Sequence, residues 1–356
     1  VHSERKKIKE VKMMSVTLFD VAREAGVSKS TVSLVINNSN AVKPETKARV
    51  YDAIKKLNYV PNVSARELTT KKKQVLGAIF LTKNLSEGTY LFDSVTETFF
   101  YDTLTGISQE LTKTNYGLIT ERFMIKEESQ ELPLIIKNNR VSGLFIIGGL
   151  TNDALLDSII ERKLPTVMIG SRHPKLDWID VDISKAAYIA VKHLIDYGHR
   201  EIAFINGPEE SKTTQKKFEG YITALEEAGI KQDMKLVRKA EFTGLSGYME
   251  MKNLWSSKVG MTAVFCANDS IAAGAMRYLY DINVRIPDEF SVIGYEHSII
   301  SEHVIPALTT VQICKEEMGV EGTKLLLSRM KRSKASNSRI VLQPKLIVRD
   351  SVGKRS

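Results

Sequence analysis

Lys29, Ser30, Ser33, Leu34 and Asn37 line one side of a short segment and carry an ammonium, two hydroxyls, an apolar tip and an amide. Such groups read base edges and phosphates in a DNA major groove. On the opposite side Val32, Val35 and Ile36 recur at helical spacing, so the set requires an α-helix packed on its apolar face. Ser28 can cap that helix. Gly26 breaks a preceding one, whose small apolar face is Val21, Ala22 and Ala25. Thr17 opens this first helix, with Asp20 three residues on as an imperfect capping box. The stretch TLFDVAREAGVSKSTVSLVINN, residues 17–38, therefore has the grammar of a helix-turn-helix.

A helical hairpin with no partner would satisfy the spacing equally well, and charge separates the two readings. The 356 residues carry 51 Lys+Arg and 42 Asp+Glu, a net charge of +9. Residues 1–73 alone hold 16 basic and 7 acidic side chains, also +9, so the remainder balances to zero. A basic module on a neutral body is the electrostatic footprint of nucleic-acid binding. An anionic membrane would call for a large apolar face with interfacial aromatics, which the segment lacks.

The length allows two or three domains. No run of about 18 apolar residues exists, so no membrane span is expected. The first fifteen residues are charged throughout, unlike a secretory leader, and Met13 or Met14 is a candidate start. Cys266 and Cys314 are far apart with no clustered histidine. This argues against a zinc site or a disulfide framework and fits a reducing, cytoplasmic location. There is no phosphate loop of Walker type, no G-x-S-x-G and no H-E-x-x-H, so neither an enzyme nor a cofactor is expected.

Pro44 opens a third helix with Val50, Ile54 and Leu57 inward, ended by Asn58-Tyr59-Val60-Pro61. Residues 16–61 thus form a small three-helix headpiece. Residues 62–74 are polar and close on a lysine run, which reads as a linker. From Val75 to Arg349 short apolar runs alternate with amphipathic helical stretches. Strands are expected at Val75–Phe80, Gly117–Thr120, Gly143–Ile147, Thr166–Gly170, Glu201–Ile205, Ala263–Cys266 and Ser291–Gly294. Helices are expected near 98–115, 128–139, 152–163, 184–198, 214–229, 244–257, 269–283 and 313–331. The expectation is an α/β core of doubly wound parallel sheets in two lobes, with ligand beyond the carboxyl ends of the strands.

These residues resemble the LacI/GalR family of bacterial transcription regulators. The headpiece, SARELTT in the linker, then YGHREIAFINGP, FEGYITALEEAGI, AVFCANDSIAAGAMRYL, VRIPDEFSVIGYE and PALTTVQ look like family blocks in family order, covering roughly Val16 to Arg349. The resemblance implies a helix-turn-helix headpiece, a hinge helix and a two-lobed, periplasmic-binding-protein-like core that dimerises. It implies a repressor that binds a pseudo-palindromic double-stranded DNA operator and is released by a small effector, taken here as a sugar. A purine-like corepressor or a phosphorylated protein partner is the alternative within the family. A sugar-binding protein or an enzyme on the same core is the alternative outside it.

Carried over residue by residue, base reading falls to Lys29, Ser30 and Leu34, the last able to meet only a thymine methyl. Thr31, Ser33 and Asn37 fall at phosphate-contacting positions, and Thr17, Ser28 and Tyr59 complete the DNA-contacting set. In the linker Ala65, Arg66 and Leu68 match the hinge, where the leucine wedges into the minor groove or else packs on the core. In the core Lys217 stands where relatives carry Arg, Asn268 and Asp269 match the AND block, and Glu296 replaces an Asp. Together with Phe99 these form the expected effector site, although Asp269 could simply cap its helix. The loop LTKNLSEGTYLFDSVTETFF is about a dozen residues longer than in relatives. It either faces the ligand with Tyr90, Phe92 and Phe99 or is a surface insertion.

Overall fold

A computed structural model describes residues 16–36, 39, 41–59, 73–82, 95–125, 131–148, 152–209, 211–332 and 336–355. They fall into two compact units divided after Lys73.

In the first unit α1 spans Leu18–Ala25, α2 Lys29–Ile36 and α3 Pro44–Lys56. Each boundary has a local cause. The Asp20 carboxylate accepts from the Thr17 backbone N–H (3.0 Å) and hydroxyl (2.7 Å). Gly26 ends α1 at φ +62°, a left-handed conformation that glycine adopts without steric cost. The Thr31 N–H donates to Ser28 Oγ at 3.1 Å, capping α2, and Pro44 is the first residue of α3. The three helices bury Val21, Ala22, Ala25, Val32, Val35, Val50 and Ala53 against Tyr59.

The second unit holds two parallel sheets. The N lobe contains β1 (Val75–Thr82), α4 (Val95–Leu111), β2 (Gly117–Met124), α5 (Leu134–Lys137), β3 (Gly143–Ile147), α6 (Asp153–Glu161), β4 (Thr166–Ile169) and β5 (Asp177–Val181). The chain then crosses to the C lobe. There it forms α7 (Ile183–Asp196), β6 (Ile202–Asn206), α8 (Lys212–Glu227), β7 (Val237–Lys239), α9 (Gly244–Ser256), β8 (Ala263–Cys266), α10 (Asp269–Asp281), β9 (Ser291–Ile293) and α11 (Ile299–His303). Next come β10 (Thr310–Gln312), α12 (Lys315–Lys331), β11 (Arg339–Leu342) and β12 (Lys345–Ile347).

The N-lobe sheet has the order β11-β5-β4-β3-β1-β2 and the C-lobe sheet β7-β6-β8-β9. Helix α12 packs on α4, with the backbone of Gly106 so near that of Glu316 that a side chain on Gly106 would overlap it. The late elements α12 and β11 therefore return to the N lobe. β12 then pairs antiparallel with β10, and residues 349–355 rejoin the C lobe, giving three crossings in all. The inner strands β3, β4, β6 and β8 are buried on both faces, as expected when helices cover both sides of a parallel sheet.

All seven expected strands are present. Four expectations change. The helix foreseen at 128–139 is described only as α5; Pro133 precedes it, a residue that starts a helix but breaks one it falls within. β5 was not foreseen because DWIDV carries two acids. Arg329 binds the Asp177 carboxylate through both oxygens (2.6 and 2.7 Å), and Arg172 Nε donates to Asp180 at 2.5 Å, so both acids are buried in pairs. The core also runs past residue 349. Ser351 is fully buried, its backbone carbonyl accepts from the Val292 N–H at 2.9 Å, and Val352 joins the core. Lastly, α4 begins at Val95, three residues earlier than expected, while residues 83–94 of the long loop lie outside the described residues.

Candidate DNA-reading face and effector cleft

On α2 the inner residues Val32 and Val35 are fully buried, while Lys29, Ser30 and Leu34 are exposed and Thr31 and Ser33 half-buried. The expected reading residues therefore share the solvent side of the helix. Their hydroxyls are linked: Ser28 Oγ lies 2.7 Å from Ser30 Oγ and 2.9 Å from Thr31 Oγ1. Thr17 is exposed at the start of α1. Tyr59 packs its ring on the headpiece core at 9% exposure, so only the edge of the side chain is open to a partner. Asn37, and Ala65, Arg66 and Leu68 of the hinge, lie outside the described residues.

In the second unit the effector candidates gather at the carboxyl ends of the strands. Asn268 and Asp269 follow β8, Glu296 follows β9, and Lys217 comes from α8. The helix cap falls to Asn268 and not to Asp269: Asn268 Oδ1 accepts from the Ile271 N–H at 2.7 Å. Asp269 instead ties three segments together. Its Oδ1 accepts from the Tyr295 N–H (2.9 Å) and the Thr310 hydroxyl (2.6 Å), and its Oδ2 from the Ser298 N–H (2.6 Å). Burial pushes its pKa up, while the bonds from Thr310 and Ser298 pull the other way.

Glu296 is 3% exposed and its backbone is held at φ +97°, outside the range a side chain favours. Burial raises its pKa to about 8, and the Asp269 carboxylate adds to the rise while Lys315 and Lys217 oppose it. Lys217 donates to the Ala267 carbonyl at 2.8 Å and sits 4.3 Å over the Tyr295 ring and 5.2 Å over that of Phe242. Desolvation lowers its pKa to about 8 against the pull of Glu296 and Asp269. Phe99, from α4, lies on Gly170 just beyond β4; a Cβ there would be 2.6 Å from the ring.

Three residues that sequence reasoning missed are further candidates. Lys315, the first residue of α12, is 6% exposed and pairs with Asp102 of α4 at 2.5 Å. It also faces Glu296, whose charge helps to raise its pKa against the opposing effect of burial. Tyr295, buried in the C lobe, feels the carboxylates of Asp180 and Asp182 across the lobes. Ser171 follows β4 in the N lobe. Ser171 Oγ, Tyr295 OH and Glu296 Oε1 are all buried without a hydrogen-bond partner. Buried polar atoms are rarely left so, and these three lie just beyond the ends of β4 and β9, where parallel α/β sheets take ligands. Only the chain crossing brings Lys315 here; in sequence it opens an ordinary amphipathic helix.

A second, open depression lies at the ends of β6 and β7, lined by Pro208, Glu209, Lys239, Glu241, Leu245 and Met249 among others. Its Lys239–Glu209 pair is exposed and it contains none of the unpartnered atoms, so the chemistry favours the interlobe cleft. Among the described residues no cluster of His, Cys, Asp and Glu could hold a metal ion, and no helix is long and apolar enough to cross a membrane.

The family described as bacterial regulatory proteins, lacI family, matches residues 17–62, and the periplasmic binding protein-like domain matches residues 191–352. The HTH-type transcriptional repressor PurR of Mannheimia succiniciproducens is 32% identical over 342 residues, covering 95% of this chain and 99% of its own. A solved complex of the transcriptional regulator CelR with cellobiose is similar at TM-score 0.69 and 30% identity, covering 94% of this chain and 99% of that one. The lac repressor dimer bound to operator and the anti-inducer ONPF shares the fold at TM-score 0.81 and 24% identity, over 95% and 99% of the two chains.

Proposed function

This chain belongs to the LacI family of bacterial transcription repressors, DNA-binding regulators with a small-molecule effector, and we propose that its effector is a neutral carbohydrate that enters between the lobes and releases a dimer from a pseudo-palindromic operator. The buried, unpartnered hydroxyl and carboxyl groups beyond the strand ends carry this reading. Sugar hydroxyls both donate and accept, so they match an acceptor such as Glu296 and donors such as Lys315 and the Tyr295 hydroxyl. The CelR relative solved with cellobiose supports the same class. On the DNA side, Lys29 and Ser30 read base edges and Leu34 a thymine methyl. Thr17, Ser28, Thr31, Ser33 and Asn37 set register on phosphates, and Ala65, Arg66 and Leu68 act in the hinge. The lobes supply the dimer contact, and a DNA partner places the protein in the cytoplasm.

The two buried ammonium groups, Lys217 and Lys315, favour a second reading, in which an anionic ligand tightens operator binding. The sign of linkage separates the two. Effector and operator alter each other's affinity by one factor, in one direction. We expect cellobiose or a related neutral sugar to raise the melting temperature and to weaken binding to DNA selected by the protein. A shift produced only by sugar phosphates, with DNA binding tightened, would replace the first reading with the second.

A further inference from the structure

Phe19 is the second residue of α1, and its ring is 52% exposed, although α1 has a buried face only a residue or two away. Half of a large aromatic surface left in water contributes little to a core this small, so the ring's position calls for another cause. The Lys29 ammonium lies over that ring, 4.7 Å from its centroid. Among the described residues the carboxylates of α1 are otherwise engaged. Asp20 holds Thr17 and Arg23, and Glu24 pairs with Lys56 at 2.6 Å. The ring is therefore the contact that orients Lys29.

We propose that Phe19 is a positioning residue for DNA reading: its ring holds the Lys29 ammonium in the direction from which it reaches a base edge. The inference rests on the reading of Lys29 as a base contact. An exposed lysine loses considerable rotamer freedom when it docks, and a brace that restricts it beforehand reduces that loss. A carboxylate would do this at the expense of the charge, and would itself be repelled by phosphates. An aromatic face attracts the cation through its quadrupole and leaves the full positive charge for DNA. The adjacent Ser30 hydroxyl is held in the same manner by Ser28, so the first two residues of α2 are both pre-oriented by neutral groups.

The test uses the full-length protein and a library of double-stranded oligonucleotides with a random core. Selection with the wild type gives the preferred site, and Lys29→Ala identifies the position it reads by flattening preference there. We expect Phe19→Leu to reduce preference at that same position and to lower affinity for the selected duplex by about 2- to 5-fold. Affinity for unselected DNA and the melting temperature should hardly change. Phe19→Trp should preserve the preference, and Phe19→Leu should cost nothing further once Lys29 is Ala. If Phe19→Leu tightens binding, the ring parks the ammonium away from DNA and the proposal is overturned. It is overturned as well if the losses from the two substitutions simply add. If Lys29→Ala leaves preference intact at every position, the base-contact reading fails and this proposal with it; if only Phe19→Leu is silent, this proposal alone fails.

Discussion

The headpiece and the C lobe hold their functional side chains in opposite ways. On α2 the proposed reading residues point to solvent, and the helix would fold with other side chains in their places: Leu34 is 43% exposed while Val32 and Val35 beneath it are fully buried. In the C lobe the proposed effector residues are also packing residues. Asp269 is fully buried with three internal hydrogen bonds, and Lys217 is fastened to a backbone carbonyl between two rings. One surface can change its target without changing its stability. The other cannot change its ligand without rebuilding the floor of the lobe.

Three substitutions probe that contrast. Asp269→Ala should have the largest effect, because it releases the Tyr295 and Ser298 amides and the Thr310 hydroxyl together. We expect a loss of about 3–4 kcal/mol in urea unfolding. A loss below about 1 kcal/mol would show that the carboxylate is not structural and would return it to the ligand. Loss of effector response in this variant therefore cannot by itself assign Asp269 to the site.

Glu296→Gln should come next, and its effect depends on pH. Burial raises the Glu296 pKa from 4.5 to about 8, so the native state holds the proton more tightly than the unfolded chain. Its contribution is full below pH 4.5 and is lost as pH rises through 8. Lys217, lowered from 10.5 to about 8, runs the other way: its contribution is full above 10.5 and is lost as pH falls through 8. Between pH 5 and 8 the carboxyl dominates, so the variant should gain about 1–3 kcal/mol on wild type over that interval. Parallel stability curves for the two proteins would remove Glu296 as the titrating group.

Leu34→Ala should be the mildest. The melting temperature should stay put, while preference for one thymine in each half-site falls by about 0.5–1 kcal/mol, measured by competition between duplexes differing at that base pair. A drop in stability comparable with that of Asp269→Ala would erase the distinction between the two regions.

The same distinction decided what could be read from sequence. Headpiece boundaries were legible because Gly26, Ser28 and Pro44 act locally, each through its own backbone geometry or side-chain oxygen. Strands with uninterrupted apolar runs were legible for a similar reason. β5 was not, because its two acids are tolerable only beside Arg172 and Arg329, the latter 152 residues away. The cleft was half legible. Lys217, Asn268, Asp269 and Glu296 followed from family blocks, but Asn268 took the cap assigned to Asp269, a choice between neighbours that only backbone direction makes. Lys315 and Tyr295 gave no signal, since their surroundings are assembled by crossings between lobes. The packing of Tyr59 in the headpiece core was not legible, because a tyrosine at a helix end suits either a core or a phosphate.

The course of the chain also sets an order of assembly during synthesis. The headpiece is complete once residue 59 has emerged, yet neither lobe is. The N-lobe sheet waits for β11, and the edge of the C-lobe sheet waits for Ser351, whose hydroxyl donates to the Val292 carbonyl at 2.6 Å. At about 5–20 residues per second, the roughly 290 residues between those points represent some 15–60 s of translation. A chain that has emerged only as far as β10 therefore carries a folded headpiece on a core whose two sheets both still lack an edge partner.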